Sequence, residues 1–242
     1  RYRDLNSGPA IPVTDQGVGA GVQYTGLNQE LEIEVGSAGY FRAEGTQTLN
    51  DHWAVSASYE KNAFYLFPGS LYATYGGNVG GLNLNWKNGD FTEATLGYRY
   101  WALPDNNRQQ IFSSVNQRLL TEYNYKLDVT GWIGNQQNTN SNVSYFSPIN
   151  QTEYSGTLNL RLLQWRDIET KKYDFWHRLY TSYGVVTQSG YVTLPMNSYG
   201  YGQDFNVGDK RTLSWGVGRT SFPFNGVKSS YTTGYLNFES RF

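Results

Sequence analysis

The chain has no cysteine, two histidines and one methionine among 242 residues. Without cysteine there is no disulfide staple and no thiolate metal site. The two histidines, His52 and His177, stand far apart, and no cluster with metal-ligand spacing accompanies them. No apolar run approaches the roughly 18 residues that a membrane-spanning helix needs. A dominant charge is also lacking. Nineteen Lys and Arg face 20 Asp and Glu, a net charge of −1, so the basic stripe of a nucleic-acid binder is missing. The sequence begins at Arg1 with no signal peptide, and it reads as a mature or excised piece without its targeting information.

Aromatic residues, by contrast, are abundant. They make up 17% of the chain, with 21 Tyr and seven Trp, while the mean hydropathy is only −0.59. That combination is odd for a soluble core. It fits a barrel that is apolar outside, polar inside and ringed by aromatic residues at two membrane interfaces.

Period-2 alternation runs through the chain. At the C-terminus Leu236 and Phe238 fall on one parity, with Tyr235, Asn237, Glu239 and Arg241 on the other. A chain ending in such a strand on an aromatic residue resembles the closing strand of an outer-membrane barrel; an edge strand of a soluble sandwich is the plainer alternative. The clearest alternation sets Leu31, Ile33 and Val35 against Glu30, Glu32 and Glu34. Similar patterns cover 16–25, 53–60, 81–87, 93–100, 122–133, 157–162, 174–185, 198–205 and 213–218. Segments of about ten residues suit a tilted membrane strand better than a soluble one. Short turns (26–28, 49–51, 88–90, 206–209) alternate with longer loops (8–15, 61–77, 102–107, 134–152, 186–194, 221–229), as an outer-membrane barrel requires. The expectation is a single all-β domain over 1–242: a transmembrane, antiparallel, up-and-down barrel of about 14–16 strands, with 16 favoured because bacterial barrels have even numbers.

The polar parity would line the lumen. It carries Glu30, Glu32, Glu34, Glu60, Glu93, Glu122, Asp128, Asp174, Asp204 and Glu239, against Lys87, Arg99, Lys126, Arg161, Arg178 and Arg241. This excess of acids would favour cations or cationic polymers, whereas cross-strand Arg–Glu pairing would merely prop the wall. Trp132, Trp176 and Tyr180 share the inward parity, and their flat faces could stack on sugar rings; a place in the interfacial belt competes for Trp132. Glycine pairs such as Gly200/Gly202 and Gly216/Gly218 would bend strands or keep a lumen open. An enzyme is a weak reading, because His177 has the lipid-facing parity and no Ser-His-carboxylate spacing emerges. No cofactor is called for. The polar loop Asn135–Asn142 is expected to be mobile.

Several short stretches carry a family resemblance. They are Leu49-Asn50-Asp51-His52-Trp53, Ala57-Ser58-Tyr59-Glu60-Lys61-Asn62 and Asn116-Gln117-Arg118-Leu119-Leu120, then Ser144-Tyr145-Phe146-Ser147-Pro148, with Asn expected at Ser147. Leu163-Gln164-Trp165-Arg166, Trp215-Gly216-Val217-Gly218 and Pro223-Phe224-Asn225-Gly226 complete the set. Together they resemble the C-terminal barrel of the bacterial poly-N-acetylglucosamine exporters, spread over most of 16–242. The resemblance implies an outer-membrane channel of 16 strands, fused in the full protein to periplasmic tetratricopeptide helices that are absent here. It implies export of a partly de-N-acetylated β-1,6-glucosamine polymer for the biofilm matrix, with a periplasmic deacetylase and an inner-membrane synthase as partners. Barrels that export cellulose or Pel polysaccharide, general diffusion porins and phage receptors share this general look.

Overall fold

The computed structural model describes residues 19–36, 39–65, 75–143, 147–169, 172–208, 211–224 and 226–240. They form one antiparallel sheet in which each strand bonds to its neighbour in sequence. The strands are β1 (Gly19–Thr25), β2 (Gln29–Gly36), β3 (Phe41–Thr48), β4 (Trp53–Tyr65), β5 (Tyr75–Asn88), β6 (Thr92–Ala102) and β7 (Asn107–Thr121). They continue as β8 (Tyr125–Asn138), β9 (Asn150–Arg166), β10 (Tyr173–Gln188), β11 (Leu194–Val207), β12 (Arg211–Phe224) and β13 (Val227–Ser240). The up-and-down order is as expected, but the described residues hold thirteen strands, not 14–16. Strands β4 and β5 take up 61–65 and 75–77 of the expected 61–77 loop, and residues 1–18 and 66–74 lie outside the described residues.

Which face is covered separates a membrane wall from a soluble sandwich. On the apolar parity, Leu82 is 57% exposed, Leu96 55% and Leu236 76%. On the polar parity Asp204 is buried at 6%. Among the described residues the buried hydrophobic side chains are Leu103, Trp176 and Val186. A sandwich would bury its apolar face as a core; here that face is open along the whole sheet and the polar face is the sheltered one. Leucines hold the middle of the open face. Aromatics flank them: Trp53 opposite Trp86 towards one end, Tyr154 and Tyr183 towards the other.

Turn chemistry sets the strand ends. Gly89, at φ 56°, lets the Asn88–Asp90 segment reverse the chain between β5 and β6. At the β3–β4 turn, the Asn50 side-chain oxygen accepts from the amides of His52 (2.9 Å) and Trp53 (3.0 Å), while the Lys87 amide donates to the His52 carbonyl at 2.8 Å. The Asn-Asp-His-Trp stretch is therefore a turn clamp. All the turns on this side of the sheet are short. On the other side the loops are shorter than expected. The 134–152 loop contracts to 139–149 because Asn135–Asn138 belong to β8, and 186–194 contracts to 189–193. The 221–229 loop is a tight turn, with Gly226 at φ 72° between Phe224 and Val227.

Candidate functional site

The register fixes which side chains share the sheltered face, since directly paired residues point the same way. Glu30, Glu32 and Glu34 on β2 pair with Thr46, Glu44 and Arg42 on β3. Arg42 forms ion pairs with Glu32 (3.3 Å), Glu34 (4.0 Å) and Glu44, and stands directly across from Glu60. Glu30 accepts a hydrogen bond from the Gln23 amide. Glu93 lies across from Lys87, and Asp128 accepts from Arg118 Nε at 3.1 Å. Asp174 accepts from Arg166 (3.1 Å) and Asn206 (2.6 Å). Glu239 pairs in backbone register with Thr212; its side chain lies outside the described residues.

Reading parity strand by strand missed several of these partners. Arg42, Arg108, Arg118 and Arg166 all share the sheltered face, as do Glu44 and Glu153, so the acid excess read from the sequence is smaller on the full face. Much of that charge is held in cross-strand pairs.

The most developed part of this face spans β7 to β12. There a polar cavity of about 630 Å³ is lined by Asp128, Asn159, Arg161, Arg178, Tyr180 and Asp204, among others. Asp204 is its hub: Arg178 Nε lies 2.8 Å and Arg161 3.5 Å from one carboxylate oxygen, and Ser214 donates to the other at 2.7 Å. Arg178 also donates to the Tyr235 hydroxyl at 2.6 Å, reaching over Gly202 and Gly216. The same register sets Tyr180 over Gly200 and Gly218, where any added Cβ would run into its ring. These glycines, read as curvature or open space, form a floor under two tyrosines.

Trp176 is 5% exposed, with Lys126, Arg161 and Arg166 stationed 5.7, 5.3 and 6.0 Å from its ring. Its faces are occupied by cations, so it presents guanidinium and ammonium groups rather than a bare ring. Trp132 also points inward, flanked in register by Ser114 and Ser155 and packed against Gly134. His177 is on the open apolar face, hydrogen-bonded to the Tyr201 hydroxyl and set edge-on to Phe175 at 5.5 Å. Its neighbours are the rings of Phe175 and Tyr201 and the side-chain amide of Gln203, 3.3 Å from Nδ1.

At the long-loop end, buried amides tie the 139–149 loop to the wall. Asn106 donates to Ser147 Oγ (2.7 Å) and accepts from the Asn140 amide (2.9 Å) and Thr139 Oγ1 (3.1 Å). Ser147 in turn donates to the Asn140 carbonyl at 2.9 Å, and Asn138 donates to that of Pro148 at 2.6 Å. The serine found where asparagine was expected thus still anchors the loop. Among the described residues no group of His, Asp and Glu could hold a metal ion.

Comparison with known proteins agrees with this architecture. The family model of the PgaA membrane beta barrel domain matches residues 12–242. The poly-beta-1,6-N-acetyl-D-glucosamine export proteins of Escherichia coli K12 and O157:H7 are each 22% identical to it over 209 residues, 81% of this chain. The match spans 25% of the length of those relatives. In three dimensions the fold resembles a bacterial polysaccharide outer membrane secretin, with TM-score 0.85 at 19% identity, covering 94% of this chain and 80% of that one. The chain belongs to the PgaA membrane beta barrel family, a β-barrel of the bacterial outer membrane.

Proposed function

We propose that this barrel is the outer-membrane channel of a polysaccharide exporter, and that its cargo is partly de-N-acetylated poly-β-1,6-N-acetyl-D-glucosamine. The polar groove on β7–β12 carries the reading. It offers fixed carboxylate and guanidinium groups to sugar hydroxyls, with the Tyr180 ring packed against Gly200 and Gly218. A translocating chain needs many weak contacts, because one tight site would stall it. Paired charges supply such contacts: Asp204 offsets the charges of Arg161 and Arg178, while their Nε groups keep hydrogen-bonding capacity for passing hydroxyls. Tyr180 and Trp132 would give sliding contacts to the apolar faces of pyranose rings, while Trp176 acts through the cations stacked on it. Free amines left by deacetylation would meet Glu30, Glu32, Glu34 and Glu60. In the full protein, periplasmic helical repeats would deliver the polymer, with a deacetylase and an inner-membrane synthase upstream. The barrel itself performs no chemistry in this account.

The test uses cells producing the full-length protein with Tyr180→Leu and Trp132→Leu together, so that the glycine floor stays covered. A ring contact contributes roughly 0.5–1.5 kcal/mol, so surface polymer is expected to fall at least about fivefold with the barrel level in the outer membrane unchanged. Unaltered secretion at full barrel levels would instead favour a general diffusion porin.

A further inference from the structure

The charges on the sheltered face are not mixed evenly around the sheet. Among the described residues of β2–β4, that face carries the carboxylates of Glu30, Glu32, Glu34, Glu44 and Glu60 against the single guanidinium of Arg42. On β7–β11 it carries Arg108, Arg118, Lys126, Arg161, Arg166 and Arg178 against Asp128, Glu153, Asp174 and Asp204. Strands follow one another around the sheet in chain order, so in a closed barrel β2–β4 lie about half a turn from β9–β11. In such a barrel the two groups face each other across the lumen.

We infer that the lumen is polarised across its width, with an acidic wall on β2–β4 and a basic wall on β7–β11, and that this field orients an amino-sugar chain as it passes. Several features favour two walls over scattered ion pairs. Arg42 is shared among three carboxylates, so its wall keeps a surplus of negative charge. Across the lumen, Lys126 and Arg161 are direct cross-strand neighbours, as are Arg161 and Arg178. Like charges placed side by side repel, and such rows persist where another element compensates them. Trp176 supplies part of that compensation by cation–π contact, and Asp204 the rest.

A chain that carries free amines along part of its length is turned by this field. Ammonium groups face β2–β4. Acetamide carbonyls and ring hydroxyls, which accept hydrogen bonds, face the guanidinium donors of β9–β10. Low-dielectric walls focus the field across the gap. This inference rests on the export reading above and adds which side of the polymer meets which strands.

Carbodiimide coupling to the purified full-length protein tests it, because an amine held against a carboxylate becomes an amide there. The probe is a short β-1,6-linked glucosamine oligomer, with ethanolamine as an amine too small to be oriented. Peptide mass spectrometry then gives the ratio of oligomer to ethanolamine adducts at each carboxylate. That ratio is expected to be at least fivefold higher on Glu30, Glu32, Glu34, Glu44 and Glu60 than on Asp128, Asp174 and Asp204. Equal ratios on both walls would overturn the polarised lumen while leaving the channel reading intact. No oligomer adduct on any lumen carboxylate would overturn it together with the amino-sugar substrate.

Discussion

Replacing Asp204 by alanine is expected to destabilise the barrel more than any other single charge removal on the sheltered face. It strips the shared partner from Arg161 and Arg178 and leaves Ser214 without its acceptor. Breaking one side of a fully buried ion pair costs about 3–5 kcal/mol. The two arginine side chains are each 37% exposed, so lumen water relieves part of that cost, and about 2 kcal/mol is expected. The measurement is the urea midpoint of the folded, heat-modifiable form in detergent. Asp204→Asn keeps the shape and the bond to Ser214 but not the charge, so it should fall between wild type and Asp204→Ala. Adding Arg178→Gln to Asp204→Ala should recover part of the loss, since it removes one of the two stranded cations. A double variant less stable than Asp204→Ala alone would mean that Arg178 is held chiefly by Tyr235.

The second large effect is steric. Gly184 sits on β10 where it passes Ser155 of β9. A Cβ there would lie 2.8 Å from Ser155 Cβ and 2.9 Å from its Cα, and would press harder still on the Tyr154 carbonyl oxygen. Because the obstruction includes backbone, rotating a side chain cannot relieve it. Gly184→Val should therefore cost about 3 kcal/mol, at the upper end for overpacking, and appear as unfolded chain that fails to insert. Gly156 provides the control. It lies across from Tyr183 on the open face, and nothing approaches within 4 Å of its would-be Cβ. Valine is a better strand former than glycine, so Gly156→Val should insert at wild-type levels. Equal behaviour of the two variants would contradict the register between β9 and β10.

How much of this was legible in the sequence depends on the residue type facing lipid. Strand β2 announces itself because Leu31, Ile33 and Val35 alternate with glutamates. Strand β3 does not: its open face carries Phe41, Ala43, Gly45 and Gln47, too small and too polar to give a periodic signal. Strand β7 is similar, with Ser113 between Ile111 and Val115 and Gln109 and Gln117 beyond them. Missing those two strands hid Arg42, Arg108 and Arg118, and with them the partners of Glu32, Glu34 and Asp128. Arg166 was hidden for a different reason. The register shifts near Phe175 and Trp176, which brings Arg166 opposite Asp174 although it has left the parity of Arg161. Loop lengths were overestimated where polar strand ends, such as Asn135–Asn138, look like loop in a single sequence. The cation platform around Trp176 and the tyrosines over their glycine floor arise from side chains on several strands at once. No pattern within one strand could disclose them.

The absence of cysteine makes the central claim directly testable: the exposed apolar face meets lipid and the polar face meets water. Leu158→Cys and Asn159→Cys place single thiols at adjacent positions of β9 on opposite faces. The measurement is the rate of reaction with a small charged methanethiosulfonate, in outer membranes containing the full-length protein with any cysteine outside these 242 residues replaced by serine, and again after the bilayer is dissolved in denaturant. Modification needs the thiolate, which forms in water and not in hydrocarbon. The account predicts fast labelling of Asn159→Cys in membranes, and labelling of Leu158→Cys only once the bilayer is gone. Rapid labelling of Leu158→Cys in intact membranes, with Asn159→Cys protected, would contradict it and place the apolar face outside the bilayer.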